Sequence, residues 1–285
     1  MSFSWPSAMA DRGAPLLDAL FADARAERRA LLLPYLTACL PSEDASPSLF
    51  AAMAEAGADG FEIGIPYADP LMDGPVIAQA AARALQGGAT VERSLTVAER
   101  VATATAKPVI LMTYTNPVLR YGPERFARDA AAAGAAGLIV ADLPVEEAGP
   151  YLAAARSAGI GLALFAAPTT TDARLNAITA SGPAFIYGVA SLGVTGERSE
   201  SSRAIAELAS RIRERSDLPI VAGVGISTPE QAADAARSVD GVIVGSAIVR
   251  RVLEAPTVEE AARSIAGAVR DLAEAVHSLP PANEE

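Results

Sequence analysis

The chain has 285 residues, of which 51% are apolar, and a formal net charge of −11. This acidic balance argues against nucleic-acid binding, because affinity for nucleic acid comes mainly from basic residues that neutralise phosphates. A single cysteine (Cys39), a single histidine (His277, in a C-terminal tail) and a single lysine (Lys107) argue against disulfides, metal clusters, histidine triads and Schiff bases. Acid–base chemistry therefore falls to carboxylates and tyrosines.

No apolar run approaches the roughly 20 residues that a bilayer span requires. The N-terminus, Met1 to Gly13, lacks a basic region followed by an apolar stretch, so we expect no signal peptide. A cytoplasmic protein without a membrane span is the expectation.

Eight short apolar runs with strand character alternate with longer helical patterns, which is typical of repeated βα units and a parallel sheet. Several runs are continuously apolar, as strands buried on both faces are. The predicted strands are Leu32–Ala38, Gly60–Gly64, Pro108–Thr113, Gly137–Ala141, Gly161–Ala166, Ala184–Val189, Pro219–Ala222 and Gly241–Val244.

Three helical segments stand outside the simple alternation. An extra helix below a barrel is predicted for Leu16 to Arg29, which Pro15 precedes. A second helix after strand 2 is predicted for Val91 to Thr105, and a closing helix for Val258 to Leu279. We predict one (β/α)₈ TIM barrel domain over residues 1–285, with a core at about 15–279 and tails at 1–14 and 280–285. An open doubly wound sheet is the alternative, although no G-x-G-x-x-G fingerprint follows the first strand.

Glu62 is the first candidate catalytic residue. Strand alternation places Phe61, Ile63 and Ile65 on one face and Glu62 on the other, inside the barrel. Burial there raises the pKa of a carboxyl and suits it to proton transfer near neutral pH. An interior glutamate satisfied by a tyrosine or a backbone amide is the competing interpretation.

Asp73 lies in the loop after strand 2, two residues before Pro75. It can cap the helix that begins there, or it can reach over the barrel mouth and accept a hydrogen bond from a substrate N–H. The sequence leaves both interpretations open.

Glycine-rich strand ends predict a phosphate site. Residues 223–226 and 245–247 follow strands 7 and 8, where barrels commonly bind phosphate with backbone amides. Gly193 to Ser202, polar and charged, is long enough to form a lid over the mouth, or an ordinary exposed loop.

Several segments resemble the tryptophan synthase α subunit family, in the same order along most of the chain. These segments are Phe61–Pro75, Leu111–Pro117, Val140–Pro144, Gly193–Gly196 and Gly245–Val249.

The resemblance implies cleavage of indole-3-glycerol phosphate to indole and glyceraldehyde 3-phosphate, with no metal or cofactor. It implies Glu62 as general acid/base, Asp73 as the carboxylate that stabilises the indolenine, and Tyr187 as a tyrosine near the glutamate. It also implies a phosphate cradle and an indole pocket with lid contacts: Gly196, Gly225, Gly245 and Ser246 for the cradle; Tyr114, Phe165 and Thr195 for the pocket and lid.

In that family, the partner is a pyridoxal-phosphate β subunit in an α2β2 complex, and this β subunit receives indole through a tunnel. The β subunit faces the loop after strand 2 and the segment around Asn116. The chain departs from the family at Cys39 (usually glycine), Ala68 (commonly serine) and Ala78 (usually glutamine).

Three alternative functions stay open: a stand-alone lyase that releases free indole, a non-catalytic phosphate-binding barrel, and another phosphate-binding barrel such as a sugar-phosphate epimerase or isomerase.

Overall fold

A computed structural model describes residues 13–189, 198–223 and 225–278. Eight parallel strands form a closed barrel in chain order, because β1 pairs with both β2 and β8. The predicted barrel is confirmed, and the open-sheet alternative is wrong. The strands are β1 (Leu31–Thr37), β2 (Phe61–Gly64), β3 (Val109–Thr113), β4 (Ala135–Val140), β5 (Gly161–Ala166), β6 (Ile186–Gly188), β7 (Ile220–Ala222) and β8 (Gly241–Val244).

Helices surround the barrel, and a 3₁₀ turn (Val145–Glu147) follows β4. The α-helices in the described ranges are α1 (Ala14–Ala26), α2 (Ser46–Glu55), α3 (Pro75–Gln86), α4 (Val91–Thr105), α5 (Thr115–Tyr121), α6 (Pro123–Ala132), α7 (Gly149–Ala158), α8 (Asp172–Ala180), α9 (Arg198–Arg213), α10 (Pro229–Ala236), α11 (Ser246–Glu254) and α12 (Val258–His277).

The predicted strand ends differ from the observed ones by one or two residues. Two predicted strands began at Pro108 and Pro219, which instead precede β3 and β7 and have no N–H for the ladder. Their carbonyls still accept bonds from Phe61 N (2.9 Å) and Ile186 N (2.8 Å). Strand β4 begins two residues early, where the pairing with β3 shifts register.

Helix α1 lies across the amino-terminal end of the barrel. Leu17 is fully buried there, and its Cδ2 lies close above Gly137 of β4 and Gly161 of β5. The ring of Phe21 packs 5.9 Å from that of Phe185. The helix ends before the predicted Arg29, because Arg28 adopts a left-handed φ of 56°.

The single histidine belongs to a helix, and its assignment to a tail is wrong. His277 is the last residue of α12, and its Nε2 lies 2.8 Å from Oδ2 of Asp59, just before β2. Asp59 also accepts from Leu32 N (2.8 Å) and from Arg29 (2.9 Å). This cluster joins α12 to the amino-terminal end of the barrel, opposite the end where barrels carry catalysis.

No helix in the described part of the chain combines the length and the apolar character that a bilayer span demands. The apolar side of α12 instead packs into the protein, with Ile265, Val269, Leu272 and Val276 buried at helical spacing.

Candidate active site

Glu62 lies inside the barrel and is the second of the four residues of β2. Its side chain is 3% exposed and stands in register with Tyr35 of β1. Its Oε2 atom has no hydrogen-bond partner within the described residues. The competing interpretation, an interior glutamate satisfied by its neighbours, therefore does not account for this oxygen. An unpartnered buried carboxyl oxygen is costly and is typical of a group that waits for a ligand.

The environment of Glu62 favours its protonated form. Burial raises the pKa of Glu62 to about 8, and the nearby charge of Asp73 adds to the effect. The carboxyl therefore holds a proton over much of the neutral range, which is the state that a general acid needs.

Asp73 ends the loop between β2 and α3 (residues 65–74, the β2 loop). The N-cap of α3 is Gly74, without a side-chain capping bond, so the capping interpretation of Asp73 is wrong. Asp73 instead lies close enough to the hydroxyl of Tyr114 to interact with it electrostatically. Burial raises the pKa of Asp73 to about 6, and the interaction with the Tyr114 hydroxyl opposes that rise. This carboxylate therefore ionises well before Glu62 does.

Tyr114 fixes the β2 loop over the barrel mouth. Its hydroxyl accepts a hydrogen bond from Met72 N at 3.3 Å, and its ring packs 5.3 Å from the ring of Tyr67. Asn116 donates from Nδ2 to the Tyr67 hydroxyl at 2.9 Å. The loop after β2 and the helix after β3 are thus tied together, and Asp73 is held beside them.

Tyr187 of β6 reaches the same interior. Its ring stacks on Phe165 of β5, with centroids 4.7 Å apart and planes at 26°. A Cβ at residue 223 would lie 1.8 Å from its hydroxyl oxygen, so glycine is required there. Burial raises the pKa of Tyr187 well above its usual value, and Glu62 and Asp73 raise it further. The phenol therefore stays protonated near both carboxylates.

Tyr35 is a buried site residue that the sequence interpretation missed. A Cβ at Gly64 would lie 2.0 Å from its hydroxyl oxygen, so the phenol crosses from β1 over the end of β2. Burial raises the pKa of Tyr35 well above its usual value, with contributions from Asp73 and Glu62. The signal was available: a polar ring inside strand 1 and a glycine two residues beyond Glu62, on the same face of strand 2.

The strand 7 and strand 8 ends offer backbone amides to an anion. Gly225 has a φ of +87°, and a Cβ built there would meet open space. Gly245 is the N-cap of α11 and has no side-chain capping bond, and Ser246 is the first residue of that helix. The neighbouring helix α10, by contrast, closes its own N-terminus with the Thr228 and Gln231 capping box. The start of α11 is therefore the better anion site.

Three predictions concern the lid region. Gly196 and Thr195 lie outside the described residues, as does half of the predicted lid (residues 193–197). The expectation of one loop up to Ser202 is wrong from Arg198 onward, because α9 begins there.

A cavity of about 180 Å³ opens beside Phe165 at the carboxyl ends of β4 and β5. Met72, Ala141 and Leu143 contribute apolar surface, and Arg174 lies at its edge. Glu62 and Asp73 are not among its lining residues. An apolar space next to the stacked rings suits a flat aromatic ligand.

The predicted site residues in the described ranges converge on one end of the barrel. Glu62, Asp73, Tyr114 and Tyr187 are linked by hydrogen bonds or by electrostatic interaction. The ring of Tyr35 connects them to the anion site, since a Cβ at Gly245 would lie 3.5 Å from its Cδ1. An acid, a carboxylate, an aromatic pocket and an anion site thus share one mouth.

Comparison with known proteins gives a consistent answer. A family model described as "Tryptophan synthase alpha chain" matches residues 21–277. The curated tryptophan synthase alpha chain of Salinispora tropica is 45% identical over 261 residues, 92% of this chain and 97% of that protein.

Solved structures agree with the family match. A tryptophan synthase of Mycobacterium tuberculosis shares 40% identity at a TM-score of 0.83, over 92% of this chain and 98% of that one. Tryptophan synthase subunit alpha of Legionella pneumophila shares 32% identity at a TM-score of 0.84, with the same coverage of both chains.

Proposed function

The chain belongs to the tryptophan synthase alpha chain family, and from this premise we propose that Glu62 and Asp73 carry the chemistry of its lyase reaction. The enzyme cleaves indole-3-glycerol phosphate to indole and glyceraldehyde 3-phosphate. One observation carries the residue assignment: a buried glutamate with an unpartnered oxygen lies beside a second carboxylate at the catalytic end of a barrel.

The reaction divides into two proton transfers. Protonated Glu62 gives its proton to C3 of the indole ring, and the positive charge that forms on the ring is stabilised by Asp73 at the ring N–H. The carboxylate of Glu62 then takes the proton from the hydroxyl on the adjacent side-chain carbon. The electrons of that O–H bond form the aldehyde carbonyl, and the C–C bond breaks and returns its electrons to the ring.

The assignments of acid and carboxylate follow from the two environments. Glu62 keeps its proton to about pH 8, whereas Asp73, with a pKa of about 6, is ionised at neutral pH. Two carboxyls with separated pKa values can take opposite roles in one step. No residue of the mechanism needs a metal or a bound cofactor.

The phosphate of the substrate belongs, in this proposal, at Gly225, Gly245 and Ser246. The N-terminus of α11 supplies backbone amides and the helix dipole, and Ser246 adds a hydroxyl. Gly196 and Thr195 complete the proposed cradle and lid from the segment before α9. The indole ring takes the space beside Phe165 and Tyr114.

The proposed partner is a pyridoxal-phosphate β subunit in an α2β2 assembly. Leu71 (78% exposed) and Met72 (49%) in the β2 loop, and Leu119 (60%) in α5, are the large apolar side chains left exposed in the described residues. The Tyr67 contacts tie the two segments together. Exposed apolar side chains on two linked segments next to the proposed catalytic mouth are what a partner receiving indole requires. The curated relatives give no support to a stand-alone indole-releasing enzyme.

Replacing Glu62 tests the mechanism. Glu62→Gln removes the transferable proton and leaves the volume unchanged, so indole release should fall by roughly 10²–10⁴-fold. Affinity for a non-cleavable indole-alkyl phosphate, measured by calorimetry, should stay within a few-fold of wild type.

The matched control is Glu99→Gln, on the exposed side of α4, which should cleave at the wild-type rate. Indole release by Glu62→Gln at a wild-type rate would overturn the mechanism.

A further inference from the structure

Tyr35 is a buried phenol for which the proposed mechanism has no role. It is 6% exposed, lies on β1 and pairs in register with Glu62 of β2. Its ring occupies the space above two glycines, Gly64 and Gly245, at which any Cβ would contact the ring or its hydroxyl. The side chain thus spans the interval between the acid and the proposed phosphate site.

The hydroxyl of Tyr35 is weakly bonded where it stands. Its oxygen lies 3.3 Å from Oγ1 of Thr37, which is long for a bond between two hydroxyls. Asp73 already interacts with the Tyr114 hydroxyl, whereas Oε2 of Glu62 has no hydrogen-bond partner in the described residues. The Tyr35 hydroxyl, a buried donor with a poor acceptor, therefore lies near Glu62 Oε2, a buried acceptor without a donor.

We propose that Tyr35 is a positioning residue for the cleavage reaction, whose hydroxyl donates to Glu62 Oε2 when Glu62 is ionised. This inference rests on the proposed function. After Glu62 gives its proton to the ring, a carboxylate stands in a site from which water is excluded, and a hydrogen bond to a charged group is strongest there. Tyr35 keeps its own proton throughout, and its hydroxyl returns to Thr37 once Glu62 is protonated again.

The titratable groups around this hydroxyl come from four elements. They are Glu62 of β2, Asp73 of the β2 loop, Tyr114 after β3 and Tyr187 of β6. The two carboxylates interact unfavourably with an ionised Tyr35, which keeps the phenol neutral and able to donate. Tyr187 also faces Glu62, so the carboxyl is approached by a phenol from two different strands.

The variant Tyr35→Phe removes the hydroxyl and keeps the ring between Gly64 and Gly245. We expect kcat for indole release to fall roughly ten- to a hundred-fold, as for loss of a hydrogen bond to a charged group. KM should change by about two-fold at most, because the variant loses no contact with the phosphate. The alkaline limb of the kcat profile should move up by about one pH unit, because Glu62 loses a donor to its charged form.

The matched control is Tyr151→Phe, which removes a hydroxyl from another buried tyrosine, on α7. It should leave the rate and the pH profile unchanged. A double-mutant test adds a second measurement: in a Glu62→Gln background, Tyr35→Phe should cause no further loss of residual activity.

The outcomes separate this inference from the proposed function. A wild-type protein that does not release indole would contradict the proposed function itself. A wild-type protein that cleaves, with a Tyr35→Phe variant of equal rate and pH profile, would overturn only the role of Tyr35. So would a variant whose rate falls together with its melting temperature while the alkaline limb stays in place.

Discussion

At the scale of the residue, the site depends on two carboxyls in different surroundings. Glu62 is enclosed by the barrel, and its pKa rises to about 8 mainly through burial. Asp73 is also buried, but the interaction with the Tyr114 hydroxyl holds its pKa nearer 6. Because the proposed catalytic roles require protonated Glu62 and ionised Asp73, we expect the active form to exist between these two values.

The pKa values of Glu62 and Asp73 predict how kcat/KM changes with pH. Activity should fall as the pH rises through about 8, where free Glu62 loses its proton, and as it falls through about 6, where Asp73 gains one. This dependence is checked by measuring kcat/KM for indole release by the isolated chain at on the order of ten pH values between pH 5 and pH 9.5.

The substrate phosphate also titrates near pH 6, so the acid limb needs a control. In Asp73→Asn the residual activity should show a weaker acid limb and an alkaline limb at lower pH, since Asp73 contributes to the raised pKa of Glu62. An alkaline limb that does not move would show that the two carboxyls are not coupled.

The departure at Cys39 also has a residue-scale explanation. Cys39 is buried and has a φ of 61°, a conformation in which glycine is favoured and other residues cost about 1 kcal/mol. The resemblance places glycine there in the family, and glycine is the residue that suits this left-handed conformation. Nothing in the structure explains Ala68 or Ala78.

At the scale of the element, the cluster around Asp59 fixes α12 to the barrel. Asp59 receives hydrogen bonds from Leu32 N and Arg29 and pairs with His277. Burial by itself would raise the pKa of Asp59, but the bonds from His277 and Leu32 and the charge of Arg29 outweigh it and lower the pKa. A carboxyl whose pKa is lower in the folded protein than in the unfolded chain, where it is near 3.9, stabilises the fold at pH values above 3.9. This stabilisation is lost as the pH falls through the pKa of the folded state.

Asp59→Ala should therefore lower the free energy of unfolding by about 3 kcal/mol at pH 7, because it leaves Arg29 and Leu32 N without a buried acceptor. Urea unfolding followed by circular dichroism measures this change, which should shrink below about pH 4. The control, Glu27→Ala, removes the exposed partner of the same Arg29 (2.6 Å) and should cost less than about 1 kcal/mol. Equal losses in the two variants would contradict the role given to Asp59.

At the scale of the whole molecule, one end of the barrel carries both the proposed catalytic residues and the exposed apolar side chains. The β2 loop holds Asp73 at its end and exposes Leu71 and Met72, and Tyr114 contacts the backbone of this loop. A partner that moves this loop would move Asp73 relative to Glu62. This shared loop gives a physical route by which a β subunit can change the rate of cleavage.

Leu119→Asp tests that surface without touching the β2 loop. A charge within the proposed apolar contact should weaken the affinity for a β subunit by roughly ten-fold or more, while the rate of the isolated chain stays the same. Titration of indole release with a purified β subunit measures both quantities.

The control is Thr103→Asp, at an exposed position in the last turn of α4, near the opposite end of the barrel. Undiminished activation of Leu119→Asp would exclude this surface, and a wild-type rate that a β subunit does not change would favour the stand-alone alternative.

The sequence by itself determined the number and order of the strands, the extra helices α1 and α4, and the positions of Glu62 and Asp73. These features are local: alternation, helical periodicity and proline or glycine at element ends act over a few residues. The order of motifs was also sufficient to indicate the family, which the comparisons confirmed.

Only the tertiary structure decided which side chains meet. Tyr35 and Glu62 are 27 positions apart in the sequence, and His277 and Asp59 are separated by 218 positions. The first pair meets because β1 and β2 are neighbouring strands, and the second because α12 packs back against the start of the barrel. Distances through space, which a linear pattern does not encode, decide three features of the site. These are the unpartnered oxygen of Glu62, the absence of a capping role for Asp73 and the role proposed for Tyr35.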